Sequence, residues 1–185
     1  MKRASIVCLL VILLCGCSAQ NSMDQALSLR QRFTDAESCQ FLCTVTADYL
    51  DAIYQFSMEC SFDRTGNMTF TVSSPDSIAG ISGKVGEQGG SLCFDDQELA
   101  FQMMADGYIS PVISPWIVVK ALRGGYIHSC GKDGEGFRIT IDDSFAEQPL
   151  QVDIWTDELS TPVYGEILWQ GRRILTLDVS ALRYM

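Results

Sequence analysis

Few residues in this chain have the types and spacing that chemistry requires. His128 is the only histidine, and Ser129 and Cys130 follow it at once. A nucleophile and its base must face one another, yet adjacent residues of a strand point to opposite faces. No G-x-S-x-G elbow, H-E-x-x-H helix or phosphate-binding glycine loop is present. Cys39-x-x-x-Cys43 would make a metal pair on a helix, but on a strand the two lie ~13 Å apart, at about 3.3 Å per residue. Asp95-Asp96 and Asp142-Asp143 suit turns and strand ends better than a calcium site. Gly131 to Gly136 reads as a hairpin loop, because no helix follows it. The expectation is a non-enzymatic protein with no metal and no cofactor.

The one modification motif is at the start. Lys2 and Arg3 precede the apolar run Ile6–Leu14, which is far short of the about 20 residues that span a bilayer. Leu14-Cys15-Gly16-Cys17-Ser18 then looks like a bacterial lipobox. The expected organisation is a signal peptide over 1–16, a lipidated tether over 17–22 and a single domain over 23–185. Cys17 is the expected lipidation site. A diacylglyceryl (palmitate-type) anchor would hold the protein on the extracytoplasmic side of the cell membrane. Of 185 residues, 13 are basic and 23 acidic. Losing residues 1–16 leaves a charge of about −12, which excludes a nucleic-acid partner.

The elements must be β-rich. From Tyr54 to Phe62 every second residue is apolar, and after Asp63-Arg64-Thr65-Gly66-Asn67 the alternation resumes at Met68, Phe70 and Val72. Gly66 suits the left-handed position of a hairpin loop. The preceding strand, Gln40–Tyr49, aligns its apolar residues with these when Tyr49 faces Tyr54, Ala47 faces Phe56 and Val45 faces Met58. The same register sets Cys43 against Cys60 and Phe41 against Phe62. α-Carbons would then stand ~4.5–5.5 Å apart, so Cys43–Cys60 is a possible disulfide. Cys39, Cys93 and Cys130 make the count of mature thiols odd.

Ser22-Met23-Asp24-Gln25 reads as a capping box opening an amphipathic helix that ends near Glu37-Ser38. Ser74-Pro75 and Ser114-Pro115 each predict a short helical segment with serine as cap. The second, Trp116 to Leu122, is apolar almost all round and fits a plug over the sheet's concave side. Short strands are expected over 81–85, 92–94, 99–102, 125–129, 137–142, 150–156, 163–170 and 173–179. Phe41, Val45, Phe56, Met58, Phe62, Met68, Phe70, Val72, Trp116, Ile154 and Trp169 read either as a solid core or as the lining of a lipid pocket.

The order helix, strands, buried short helix, strands resembles the LolA/LppX/LprG group of lipid-binding proteins. The stretches that carry the resemblance are Thr71-Val72-Ser73-Ser74-Pro75-Asp76-Ser77-Ile78-Ala79-Gly80 and Pro162 to Leu177. They look like lipoproteins of Gram-positive bacteria with this fold, including the spore-germination lipoprotein. The resemblance implies an α+β fold: a curved antiparallel sheet, a LolA-like half-barrel, with an N-terminal helix and a short buried plug helix. It implies a membrane-anchored lipoprotein that binds an apolar ligand, a lipid or acyl chain. The alternative is a non-catalytic protein–protein module that regulates a cell-envelope or spore-cortex enzyme.

Overall fold

The computed structural model describes residues 22–95, 97–105 and 108–185; Cys17, the expected signal and the expected tether up to residue 21 lie outside them. Helix α1 occupies residues 22–35. It buries Ala26, Leu29 and Phe33, a stripe at i, i+3 and i+7, and leaves Leu27 half exposed.

The strands are β1 (Ser38–Asp48), β2 (Ile53–Asp63), β3 (Met68–Ser74), β4 (Ser82–Gly86), β5 (Gly89–Phe94) and β6 (Gln97–Phe101). The small pair β7 (Met104–Ala105) and β8 (Tyr108–Ile109) leads to a 3-10 turn, Pro111–Ile113, and helix α2, Ser114–Gly124. Then come β9 (Tyr126–Asp133), β10 (Gly136–Asp142), β11 (Gln151–Thr156), β12 (Pro162–Trp169) and β13 (Arg172–Tyr184). Eleven of these form one sheet in the order β6-β5-β4-β3-β2-β1-β13-β12-β11-β10-β9, with every neighbour antiparallel. The chain starts in the middle of the sheet, meanders to one edge, crosses through α2 to the other edge, and works back until β13 closes on β1. The sheet stays open, a curved half-barrel in an α+β fold.

Alternation along the strands sets the core. Cys39, Phe41, Cys43, Val45 and Ala47 of β1 are buried, as are Phe56, Met58, Cys60 and Phe62 of β2. The register between them differs from the expected one by two residues. Ala47 faces Tyr54, Val45 faces Phe56, Cys43 faces Met58, Phe41 faces Cys60 and Cys39 faces Phe62. A slip of two keeps every side chain on its face, so the apolar pattern cannot detect it. The turn decides. Asp48 Oδ1 accepts the Leu50 backbone N–H at 2.9 Å, Leu50 takes a φ of 71°, and Tyr49 leaves the sheet to donate its hydroxyl to the Ile109 carbonyl. The strands therefore stop at Asp48 and Ile53.

Other expectations are corrected too. β3 runs through Ser74, and residues 75–80 form turns closed by Ile78 N–H to Pro75 O and Gly80 N–H to Val72 O, not a capped helical segment. β9 continues to Asp133 and β13 to Tyr184, both beyond the apolar runs that suggested them. The β2–β3 turn is as expected, with Gly66 at φ 94° and Asp63 Oδ1 accepting from Thr65 and Asn67.

The candidate site between the plug helix and the sheet

Helix α2 lies against the concave face. Ser114, Pro115, Trp116, Ile117, Val118, Val119, Ala121 and Leu122 are all buried, as a helix without a wet face must be. Proline near its start suits the first turn. The Ser114 hydroxyl does not cap the helix as expected; it donates back to the Pro111 carbonyl at 2.7 Å. Gly125 ends the helix in tight quarters, since a Cβ there would stand 2.5 Å from Ile141 Cγ2 and 2.7 Å from Asp142 O.

Polar ties hold α2 along its margin. Trp116 Nε1 donates to Gly66 O at 2.8 Å, and Arg123 donates to Asp63 O at 3.0 Å and Arg64 O at 2.9 Å. Lys120 pairs with Glu87 at 2.8 Å and sits 4.7 Å from the Trp116 ring centroid. These residues, spaced i, i+4 and i+7, fasten one face of α2 to the β2–β3 and β4–β5 turns. From α1, Arg30 donates to the carbonyls of Leu122 at 2.8 Å and Gly125 at 2.6 Å, supplying partners and positive charge at the helix C-terminus. Burial lowers the pKa of Arg30 from its ordinary value.

Behind these ties the seam between α2 and the sheet is wholly apolar. Phe33, Phe41, Pro115, Val118, Val119, Leu122, Pro162, Leu177, Val179 and Leu182 line it, and the space left among them is ≈ 20 Å³. That is room for about one water. Two larger recesses lie outside: an open groove of ≈ 840 Å³ between the β2–β3 and β4–β5 turns, and one of ≈ 400 Å³ over the convex side of β1–β3.

Of the sequence-predicted lining, Phe41, Val45, Phe56, Met58, Phe62, Met68, Phe70, Val72, Trp116 and Ile154 are all in one buried cluster. Trp169 is half-buried and stands apart from that cluster. Only Phe41 of the eleven borders the residual seam. Sequence reading passed over Phe33, Leu177 and Val179, although the alternation Leu175, Leu177, Val179 carried the signal. It had no means of finding Arg30, Lys120 and Arg123, whose partners are a distant helix end and distant turns.

Three thiols share this interior. Cys43 Sγ and Cys60 Sγ are 3.9 Å apart, and Cys39 lies on the same face of β1; all three are buried and free. Burial pushes the Cys39 thiol up to about 11, against the opposing pull of Arg123. Burial, with Cys43 beside it, holds Cys60 well above the ordinary thiol value. His128 and Ser129 are exposed on β9, and Cys130 is half-buried there. Among the described residues, no group of three His, Cys, Asp or Glu side chains could hold a metal ion. No helix among them is long and apolar enough to cross a membrane.

No protein-family model matches the chain, and no curated protein matches it. Solved structures do. The chain is similar to a LolA superfamily protein from Nitrosomonas europaea at 10% identity and a TM-score of 0.44, over 91% of this chain and 94% of that one. It is similar to LprF from Mycobacterium bovis at 11% identity and a TM-score of 0.47, over 89% and 94% of the two chains. The Mycobacterium tuberculosis lipoprotein LppX matches at 15% identity and a TM-score of 0.41, over 88% and 93%. At such identities the likeness concerns the course of the chain and not what it binds.

Proposed function

We propose that this is a non-catalytic lipoprotein, held on the extracytoplasmic face of the cell membrane through Cys17, whose half-barrel takes an apolar chain between α2 and the sheet. The observation that carries this reading is the seam itself: apolar along its whole lining, and closed by a helix whose polar ties run along its margin. The seam leaves room for about one water, so binding an acyl chain requires α2 to lift. Magnitudes allow it. An acyl chain of about sixteen carbons gains ~12 kcal/mol on burial, at about 0.8 kcal/mol per methylene. Breaking the ties of Trp116, Lys120, Arg123 and Arg30 costs roughly 1 kcal/mol each. The apolar side of α2 stays covered, because the chain replaces the sheet as its neighbour.

A second reading has its own observation. Only ≈ 20 Å³ of space is left at the seam, which suits a packed module that displays its surface to a cell-envelope protein. Native mass spectrometry of the full chain, released from membranes in mild detergent, separates the two. Co-purifying lipid, or uptake of an added fatty acid, is the result expected of the first reading. A protein that stays free of lipid and ignores fatty acid overturns it in favour of the second.

A further inference from the structure

Among the described residues, four buried side-chain nitrogen or oxygen atoms have no hydrogen-bond partner: Arg32 Nε, Tyr184 Oη, Arg138 Nε and Asp153 Oδ1. A buried polar group without a partner carries a desolvation cost, so folded proteins keep few of them. Arg138 and Asp153 form an ion pair at 2.6 Å, and their opposite charges offset one another. Arg32 and Tyr184 have no such answer. They are neighbours, with the Arg32 guanidinium carbon 6.0 Å from the centre of the Tyr184 ring. None of the ion pairs among the described residues includes Arg32. Burial pushes the Tyr184 hydroxyl up to about 12, against the opposing pull of Arg32, so it keeps its proton and can donate.

Both groups stand beside the apolar seam. The register shift opposite Gln40 and Leu42, with Ala181 at φ 53°, gives β13 one extra residue and changes the phase of its alternation. Leu182 and Tyr184 thereby join Leu177 and Val179 against the core, and Tyr184 meets Phe33 edge-on at 5.1 Å. Phe33, Pro162 and Leu182 line the seam. Arg32 precedes Phe33 on α1 and donates through Nη2 to the carbonyl of Ser160, two residues before Pro162.

We infer that the apolar ligand proposed above is a long-chain carboxylate, its head held by Arg32 Nε–H and the Tyr184 hydroxyl and its chain laid past Phe33, Pro162 and Leu182 under α2. The inference rests on the proposed reading of the seam. Two donors suit the two oxygens of one carboxylate, and a guanidinium with no acidic partner supplies the charge. A phosphate presents more oxygens than these donors serve. A fatty alcohol or ester leaves the guanidinium's charge unanswered. The acidic body opposes an anion at a distance, but screening over about 8 Å at physiological salt leaves the head to the groups it touches.

The test is native mass spectrometry of the full chain in mild detergent, with palmitate, hexadecanol, methyl palmitate and hexadecyl phosphate added singly. Palmitate should bind about tenfold or more tighter than the alcohol and the ester, as a hydrogen bond to a charged group allows. Tyr184→Phe keeps the ring against Phe33, and Arg32→Met keeps an apolar stem. Each should weaken palmitate about tenfold and leave hexadecanol binding as it was, which also shows that the variant is folded. Should Arg32→Met lose hexadecanol as well, the wild-type ranking and Tyr184→Phe decide. Alcohol and ester held as tightly as palmitate mean that water fills the two donors; that overturns the inference and leaves the reading of the seam standing. A preference for palmitate that survives Tyr184→Phe and a folded Arg32→Met overturns the site. Hexadecyl phosphate held as tightly as palmitate overturns the choice of a carboxylate. Uptake of none of the four overturns the reading of the seam, and the inference with it.

Discussion

Cys43 and Cys60 bring their sulfurs to 3.9 Å although neither is the other's partner across the strands: Cys43 faces Met58, and Cys60 faces Phe41. They are diagonal neighbours, and diagonal α-carbons in antiparallel pairs stand roughly 7–8 Å apart, beyond the usual reach of a disulfide. Closeness of sulfurs is thus compatible with more than one register. It leaves two apolar thiols in contact where a directly opposed pair would be set to bond.

Thiol labelling in the native state should follow burial. Cys93 is exposed and is expected to react first, Cys130 more slowly, and Cys39, Cys43 and Cys60 only on unfolding. Rapid labelling of all five at neutral pH would contradict the packing.

Stability should fall in alkali. The Cys39 thiol rises from 9.0 to about 11 on folding, so the folded state favours the neutral form. Its contribution is whole below pH 9 and is lost as pH climbs through 11. Cys60 shifts in the same direction. Denaturant melts at a series of pH values check this. Cys39→Ala should reduce the loss between pH 9 and 11, and an unchanged profile would assign that loss to other groups.

Trp116→Ala removes a side chain that is 2% exposed and donates to Gly66 O. The expected cost is about 3–5 kcal/mol in equilibrium unfolding. A loss below about 1 kcal/mol would make α2 a loose cover rather than part of the core.

Arg30→Met keeps an unbranched apolar stem and strips the carbonyls of Leu122 and Gly125 of their donors. About 1–3 kcal/mol should be lost, and hydrogen exchange should quicken in α2 before it quickens in the sheet. Uniform quickening would mean that α2 and the sheet open as one unit.

Gly83→Ala should be poorly tolerated, because a Cβ there would meet Ser91 O at 2.3 Å and the Phe70 ring at 2.7 Å. Gly131→Ala, with nothing within 4 Å, serves as its control. Melts of the two variants should differ by at least about 1 kcal/mol.

How much of this was legible in the chain depended on the range of the interaction. Inward faces were legible, because alternation is local: Phe56, Met58, Cys60 and Phe62 face the core as their spacing demands. So was α2, whose run from Trp116 to Leu122 leaves no wet side except Lys120. Register was not, since Asp48 and Tyr49 set it through a turn hydrogen bond and a distant carbonyl, neither of which has a period. Nor was the filling of the seam, which brings Phe33, Leu122 and Leu177 together from three parts of the chain.

The closure of β13 on β1 has a consequence for the order of events in synthesis. Ala47 meets Leu175 and Cys39 meets Tyr184, partners separated by 128 and 145 residues. The first strand of the sheet to leave the ribosome therefore waits for the last one before its second edge is satisfied. Contacts of such separation slow folding, and an unpaired edge in the interval invites association with other chains. A chain cut short before Arg172 would leave β1 bare along that edge, with two half-sheets and no strand to join them.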